Sequence, residues 1–316
     1  FFLNNVPRPW FRSEAHPRRA AVSSFGFGGS NFHVVLEEHR PERQTVAWDG
    51  SVEILALSGA DRQTLSARID DLAARAQAGD LDRRLPQAAA ESRAAFRVEA
   101  PCRLVLVLQS QDGPEGPTWK IADRLAQARE ILARPDEAMP VVEGDAFCAM
   151  GPQPGRLAFL FPGQGSQYVD MGRDLVAWFP EALEALHNAD RHFQSDRRLN
   201  DFIYPRPVEG GDRSSQEERL RNTAVAQPAI GAVSAAMFRI LERFGLSPDA
   251  AAGHSFGELA ALWAAGWMDE ATLHQLAVIR GRLMASAGEA GGEAGTMLAV
   301  KAPLAALDNL IAEERL

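Results

Sequence analysis

The stretch that decides the fold is Gly253-His254-Ser255-Phe256-Gly257, a Gly-x-Ser-x-Gly pattern. A short apolar run, residues 250–252, precedes it, and a long helical pattern that begins at Glu258 follows it. A strand, a tight turn and a helix in this order predict a nucleophile elbow, in which the serine hydroxyl projects above a sheet. Such a turn leaves no room for side chains at its flanks, so both flanking residues are glycine. Taken alone, the pattern is also typical of an ordinary strand-to-helix turn.

Composition limits the classes of protein to which the chain can belong. Its 316 residues accommodate two domains and pieces of a third, and 46% hydrophobic with 24% charged residues is ordinary for a globular protein. A net charge of −9 argues against nucleic acid as a general partner. No apolar run reaches the roughly 20 residues that span a bilayer, so we expect no membrane partner.

Two further features bear on location and completeness. Cys102 and Cys148 have no metal-ligand spacing and form no disulfide framework, which fits a reducing, cytoplasmic environment. The first residue is Phe1 rather than an initiator methionine, and no signal-peptide pattern follows it. We therefore interpret the sequence as a piece of a longer protein.

The N-terminal part predicts a hairpin. Residues 22–25 and 32–36 have the composition of two strands, and glycines 26, 28 and 29 supply the turn between them. These glycines do not form a phosphate loop, because no lysine follows them and no helix begins after them. We expect the hairpin to lie in a buried sheet.

This segment resembles the end of a ketosynthase from a polyketide synthase. The resemblance rests on Ser24-Phe25-Gly26-Phe27-Gly28-Gly29-Ser30-Asn31, followed by residues 33–38, with Ser30 and Phe32 where that family usually has Thr and Ala. It implies that residues 1–38 are a C-terminal remnant of a thiolase-like ketosynthase. That family's nucleophilic cysteine and its histidines have no counterpart here, so condensing activity is not expected of this chain.

Residues 39–155 predict a polar connector and then a small α/β unit. Strands are expected at 52–57 and 103–108, and a helix is expected at 86–96. Two further helices are indicated by apolar stripes, namely Leu65, Ile69, Leu72 and Ala76, and Ile121, Leu125, Ala128 and Leu132. The position of this unit resembles that of the linker domain between ketosynthase and acyltransferase, whose implied role is to hold two catalytic domains in place.

A second domain is expected over residues 156–316. Its first strand, residues 157–161, is continuously apolar, which predicts burial on both faces. In the loop that follows, two glycines flank Gln164, which lets the backbone approach another element. His187 and His192 are five residues apart, so they do not share a helix face as a metal pair would, and both are expected at the surface.

Two later helices carry polar residues of interest. Residues 223–244 predict a helix with an apolar stripe, and Pro228 is expected in its first turn together with Gln227. In the helix that begins near Asp269, Arg280 falls in line with leucines 273, 276 and 283. A charge on an apolar stripe costs several kcal/mol unless it is paired. We therefore expect one of three roles for Arg280: a partner in a structural salt bridge, a side chain that snorkels to water, or a guanidinium that binds a substrate carboxylate.

Four motifs in this order resemble the malonyl-CoA:acyl carrier protein transacylases, in the acyltransferase-domain form of type I polyketide and polyunsaturated-fatty-acid synthases. The motifs are Phe161–Gln167, Gln227–Ala229, Gly253–Glu258 and Arg280–Gly281. The resemblance implies an α/β-hydrolase-like core, a parallel sheet flanked by helices. It also implies that residues 295–300 and 303–314 begin a ferredoxin-like subdomain that is truncated.

The resemblance further implies the chemistry of the site. Ser255 would be the nucleophile that takes a malonyl-type group from CoA as an ester, and the backbone N–H groups of Gln164 and Phe256 would form the oxyanion hole. The acyl group would then pass to the phosphopantetheine thiol of an acyl carrier protein. The other implied partner is a neighbouring ketosynthase domain, and no metal or bound cofactor is expected.

Three more residues receive implied roles. Arg280 would bind the malonyl carboxylate, Gln227 would line the site and His254 would support the elbow. The buried charge of Arg280 would be left unpaired by a neutral acetyl group, which would make the site selective.

One expected component is missing. The general-base histidine of that family lies downstream of Arg280, and none of the seven histidines stands at the matching place. A serine without a base is a poor nucleophile, so we expect this chain alone to have little activity. Two alternatives stay open: a serine esterase of the α/β-hydrolase type, and a non-catalytic scaffold that docks synthase domains.

Overall fold

A computed structural model describes residues 7–13, 16–39, 46, 50–113, 116–152, 155–206, 212–290 and 303. The chain divides into two compact units. The first comprises residues 1–45 together with residues 157–316, and the second comprises residues 46–156. The sequence-based division at residues 38 and 155 stays a prediction. The strand and helix expected at residues 295–300 and 303–314 lie outside the described residues, apart from Pro303.

The N-terminal hairpin forms as expected but is exposed. It consists of β1 (Arg19–Ser24) and β2 (Phe32–Glu37), which pair antiparallel from Arg19↔Glu37 to Ser24↔Phe32. The turn contains Gly28 with φ of 77°. Large apolar side chains on both strands are exposed, so the expectation of a buried sheet was wrong for the described structure. An apolar strand pattern indicates only that a strand could be buried if another element covered it. No described element covers this hairpin.

The second unit is an antiparallel sheet covered by three helices. Its elements follow in chain order: β3 (Val52–Gly59), α1 (Arg62–Gln77), α2 (Asp80–Ala95), β4 (Cys102–Gly113), β5 (Gly116–Trp119), α3 (Ile121–Leu132), β6 (Val141–Glu143) and β7 (Ala146–Met150). The sheet order is β3-β4-β7-β6, and β5 pairs with the end of β4. The predicted strands and apolar stripes supply most of its core, whereas β6 and β7 were not predicted, because they are short and weakly patterned.

The helix predicted over residues 86–96 begins earlier than expected. α2 starts at Asp80, directly after Gly79 with φ of 70°, and contains Pro86 in its interior. Arg84 leaves the helical conformation, with φ of −120°. Because Pro86 disfavours helical geometry in the residues before it, the sequence indicated a start where the structure has only a kink.

The remainder of the first unit is a parallel strand pair surrounded by helices. Its elements are β8 (Ala158–Phe161), α4 (Arg173–Trp178), α5 (Pro180–His192), α6 (Leu199–Ile203), α7 (Arg213–Arg221), α8 (Thr223–Arg243), β9 (Ala250–Gly253), α9 (Gly257–Ala264) and α10 (Glu270–Ala290). Strands β8 and β9 pair parallel from Ala158↔Ala250 to Phe161↔Gly253. α8 is the central helix and packs against α5 and α10.

The ends of these helices follow the sequence signals. The side chain of Asn222 caps α8 by accepting a hydrogen bond from Ala224 N at 2.9 Å. Asp269 caps α10 in the same way, through Thr272 N at 2.7 Å. Gly245, with φ of 74°, follows the end of α8 and ends the helix as expected.

Three expectations about burial in this unit were wrong. Leu160 of β8 is 78% exposed, so the strand is not buried on both faces; a cavity of about 530 Å³ lies beside it. The apolar stripe predicted for residues 223–244 includes Met237, which is 50% exposed, so the stripe is interrupted. His187 is buried rather than at the surface, since the face of α5 that carries it packs against the core.

α8 is long and apolar enough to cross a membrane by length and composition alone. However, 78% of its most apolar window is buried inside the protein, as expected of a core helix. Within the described residues α8 is the single helix of this kind.

Candidate active site

The pairing of β8 with β9 brings two loops together at the carboxyl ends of the strands. His254 N donates to Phe161 O at 3.1 Å, so the pairing continues one residue past β9. The loop of residues 162–167 therefore lies beside residues 254–256. In open α/β sheets this edge is where ligands bind.

Ser255 stands in a strained turn. Its φ is 54°, and Asp170 is the only other non-glycine residue with positive φ among the described residues. The turn is closed by a hydrogen bond from Gly257 N to His254 O at 2.9 Å. A serine held in the left-handed region between a strand and a helix is the geometry of a nucleophile elbow. The ordinary strand-to-helix turn would not require this conformation.

The two flanking glycines are required by close backbone contacts. A β-carbon on Gly253 would lie 2.0 Å from the carbonyl carbon of Gly257. One on Gly257 would lie 2.1 Å from the carbonyl oxygen of Phe161. Both distances are far below any real contact, so the strand and helix approach each other only because side chains are absent. Gly163 is required for the same reason, since a β-carbon there would lie 2.4 Å from the carbonyl oxygen of His254.

Phe256 anchors the turn in the core. Its ring is 0% exposed and packs with Ile230 and Ala277. Gly231 on α8 makes room for it, since a β-carbon there would lie 3.0 Å from Phe256 Cζ. The side chain of Phe256 thus points into the core, and its backbone N–H lies at the elbow.

The backbone N–H groups of Gln164 and Phe256 are without an acceptor in the part of the chain that the structure describes. By contrast, Gly165 N is engaged by Gln167 Oε1 at 2.8 Å, and Ser166 N by Gly163 O at 3.3 Å. Two unengaged N–H groups in the paired loops are the donors that an oxyanion hole needs.

Arg280 reaches the serine from α10. Its Nη2 lies 3.4 Å from Ser255 Oγ, and its Nη1 is buried without a hydrogen-bond partner among the described groups. α10 packs closely on the start of α8 at Gly281. A β-carbon on Gly281 would lie only 2.9 Å from Thr223 O, so a larger residue would hold the helices apart. One interpretation of Arg280 was a structural salt bridge. Arg280 forms no salt bridge with any described carboxylate.

Gln227 connects the loop that carries Gln164 to α10. It is 0% exposed, and its Nε2 lies 3.4 Å from Gln164 Oε1 and 3.2 Å from Met284 Sδ. Its Oε1 is buried without a partner among the described groups. Gln227 and Pro228 lie one turn deeper in α8 than predicted, because the helix continues normally through the proline.

The sequence did not single out Thr223 or Met284 as members of this site. Gln164 Nε2 donates to Thr223 Oγ1 at 3.0 Å. Thr223 lies four residues before Gln227, and Met284 lies four residues after Arg280, so each shares a helix face with a predicted site residue. That spacing was the available signal.

The seven histidines make no hydrogen bond with the Ser255 hydroxyl in the described structure, to which all seven belong. His254 is exposed and contributes through its backbone. Among the described residues, no group of three or more potential ligands is placed to hold a metal ion.

Comparison with known protein families agrees with this geometry. Residues 158–312 match the family described as the acyl transferase domain, and residues 3–100 match the ketoacyl-synthetase C-terminal extension. Residues 158–312 are an acyl transferase domain of the kind found in polyketide and polyunsaturated fatty acid synthases.

Individual relatives of this acyltransferase chain are much longer than it is. A polyunsaturated fatty acid synthase protein of Thraustochytrium sp. is 31% identical over 324 residues, which are 96% of this chain and 11% of the relative. Mycoketide-CoA synthase of Mycobacterium tuberculosis is 34% identical over 306 residues, 95% of this chain and 6% of the relative. The chain therefore spans a small part of the curated relatives that it matches.

Solved structures support the fold. The acyl transferase domain of ZmaA is similar with a TM-score of 0.59 and 24% identity, covering 76% of this chain and 50% of that one. At this level of identity the similarity shows the fold alone. The predicted α/β class with an acyltransferase core is confirmed.

Proposed function

We propose that this chain supplies the acyl-accepting site of a malonyl-CoA:acyl carrier protein transacylase within a larger synthase. The observation that carries the proposal is the position of Ser255, held in an elbow with Arg280 Nη2 at 3.4 Å from its hydroxyl. A nucleophile beside a partly unpaired guanidinium suits an acyl group that ends in a carboxylate.

The reaction consists of two acyl transfers. Ser255 Oγ attacks the thioester carbonyl of malonyl-CoA, a C–O bond forms, and collapse of the tetrahedral adduct breaks the C–S bond. The CoA thiolate leaves and takes up the proton that the serine lost. The phosphopantetheine thiol of an acyl carrier protein then attacks the ester carbonyl: a C–S bond forms, the C–O bond to Ser255 breaks, and the thiol proton passes to the released Ser255 Oγ.

The oxyanion of each adduct would be bound by the backbone N–H groups of Gln164 and Phe256. Both groups lack other acceptors among the described residues, and both lie where the carboxyl ends of β8 and β9 meet. The N-terminus of α9, directly after Ser255, adds a favourable dipole for this charge. Donors fixed before the reaction stabilise the transition state without reorganising.

Selectivity for malonyl over acetyl groups would come from Arg280. Its buried Nη1 has no partner among the described groups, and a malonyl carboxylate would pair with it. An acetyl group would leave it unpaired, at a cost of about 1–3 kcal/mol. Gln227, fully buried beside Gln164, would line the same site, and His254 would support the elbow through its backbone bonds.

The 316-residue chain by itself would be a slow catalyst. None of its described histidines hydrogen-bonds to Ser255 Oγ, so the structure offers no imidazole already placed to take the serine proton. In a whole synthase the partners would be a carrier protein and a neighbouring ketosynthase, in the cytoplasm.

Chemical rescue tests the proposal. The chain is incubated with malonyl-CoA, with and without imidazole as an external base, and acylation is followed by intact-protein mass spectrometry. We expect slow acylation without imidazole, a rate that rises with imidazole concentration, and no adduct in Ser255→Ala. Ser286→Ala, which removes an exposed hydroxyl on α10 bonded to Leu283 O at 3.0 Å, serves as the matched control.

One outcome would contradict the expectation of a slow catalyst, and two others would contradict the proposed acyl-accepting site. Rapid acylation without imidazole would show that the chain already holds its base. Equal labelling of wild type and Ser255→Ala would show that Ser255 is not the acceptor. Turnover of a simple aryl ester with no transfer from malonyl-CoA would favour an esterase instead.

A further inference from the structure

The carboxamide of Gln164 is held at both ends by one face of α8. Its Nε2 donates to Thr223 Oγ1 at 3.0 Å, and its Oε1 lies 3.4 Å from Gln227 Nε2. Thr223 and Gln227 are four residues apart and therefore lie one above the other on the helix. Because Gln164 is otherwise an exposed loop residue, these two bonds fix its side chain.

Thr223 is itself rigidly placed. It is the first residue of α8, and the cap at Asn222 fixes the first turn through Ala224 N. Gly281 of α10 packs against the carbonyl oxygen of Thr223, where a β-carbon on Gly281 would lie 2.9 Å from that oxygen. Thr223 thus joins the loop that carries Gln164 to the helix that carries Arg280.

We propose that Thr223 is a positioning residue for acyl transfer. Its hydroxyl orients the side chain of Gln164 and, through it, aims the Gln164 backbone N–H at the developing oxyanion. The inference rests on the proposed function, since it assigns Thr223 a part in the same site. Thr223 does not touch the acyl group in this account.

The expected effect follows from where the bond acts. An oxyanion donor matters in the transition state, so its misorientation lowers the rate at saturating substrate and leaves the half-saturating concentration unchanged. Loss of one neutral hydrogen bond corresponds to roughly a three- to tenfold decrease in rate.

Two variants of Thr223 form a matched pair. Thr223→Val keeps the shape of the side chain and removes the hydroxyl, whereas Thr223→Ser keeps the hydroxyl. Acylation of Ser255 by malonyl-CoA is measured with imidazole present, over a range of malonyl-CoA concentrations. The backbone amide resonance of Gln164 is followed in ¹⁵N-labelled protein, and thermal unfolding shows whether each variant is folded.

We expect Thr223→Val to be acylated several-fold more slowly at saturation, with an unchanged half-saturating concentration and a shifted Gln164 amide resonance, and Thr223→Ser to restore both. Equal rates in wild type and Thr223→Val, or an unmoved Gln164 resonance, would overturn this inference and leave the proposed function standing. No acylation of the wild type with imidazole would overturn the proposed function, and the inference with it.

Discussion

The guanidinium of Arg280 faces the hydroxyl of Ser255 across the junction of α10 with the elbow, with Nη2 3.4 Å from Oγ. Its other terminal nitrogen, Nη1, is buried and has no partner among the described groups. A buried donor nitrogen without a partner is costly, and an anionic group placed beside it would satisfy it. In the proposed function, this relationship would link the nucleophile Ser255 to the charge of a malonyl substrate.

Replacing Arg280 should weaken the preference for malonyl groups. In Arg280→Gln we expect the half-saturating concentration of malonyl-CoA for Ser255 acylation to rise by about tenfold or more, because a charge-assisted pair is worth about 1.5–3 kcal/mol. The half-saturating concentration of acetyl-CoA should change little, because an acetyl group has no carboxylate to pair with Arg280. Both are measured by mass spectrometry with imidazole present.

Arg282→Gln is the matched control for this change. Arg282 is exposed, lies two residues further along α10, and donates to Gln194 O on a different face. It should retain the preference of the wild type. Equal losses in the two variants would mean that general charge, rather than the position of Arg280, sets the preference.

Gly257→Ala should disrupt the elbow. The new β-carbon would lie 2.1 Å from Phe161 O, and relief requires movement of α9 away from β8. We expect destabilisation by several kcal/mol, seen as a large fall in melting temperature or loss of folded protein.

Gly29→Ala provides the comparison, because nothing lies within 4 Å of a β-carbon there and its φ is not positive. Its melting temperature should match that of the wild type. A Gly257→Ala variant as stable as Gly29→Ala would contradict the close packing of the strand on the helix.

The sequence predicted the elements of this site better than their surroundings. The elbow, the loop at Gln164 and the position of Arg280 follow from local rules, since glycine at fixed offsets and a charge on an apolar stripe are visible in the chain. The exposure of Leu160 and the burial of His187 depend on which elements cover β8 and α5. No local pattern encodes that. Thr223 was missed for a similar reason, because its bond to Gln164 joins distant parts of the chain.

A second polar cluster, centred on Glu270, should make stability depend on pH. Its Oε2 accepts from Arg239 Nη2 at 2.9 Å, its Oε1 accepts from Asn188 Nδ2 at 3.3 Å, and His274 Nε2 lies 3.6 Å away. Burial raises the pKa of Glu270, but the neighbouring His274 imidazole together with hydrogen bonds from Arg239 and Asn188 outweighs burial and lowers the pKa to about 2.

The direction of the effect follows from that shift. The pKa of Glu270 is lower in the folded protein than its ordinary value of 4.5, so its stabilising contribution is complete above pH 4.5 and is lost as the pH falls towards 2. We expect Glu270→Gln to lower the free energy of unfolding by on the order of 2–3 kcal/mol near neutral pH, and much less near pH 3. Urea denaturation at both pH values measures this.

Glu242→Gln tests whether the effect belongs to Glu270. Glu242 bonds to the same Arg239, at 2.9 Å, but its side chain is 43% exposed. Exposed pairs contribute little, so this variant should lose less than about 1 kcal/mol at either pH. If the two variants behaved alike, the buried position of Glu270 would not be the source of its contribution.

The measurement that tests the central claim most directly is the site of acylation. The chain is treated with malonyl-CoA in the presence of imidazole, digested, and the modified peptide is sequenced by tandem mass spectrometry. We predict a malonyl ester on Ser255, in the peptide that contains Gly253-His254-Ser255-Phe256-Gly257, and none in Ser255→Ala. An adduct on another residue, or none on the folded wild-type chain, would contradict the account.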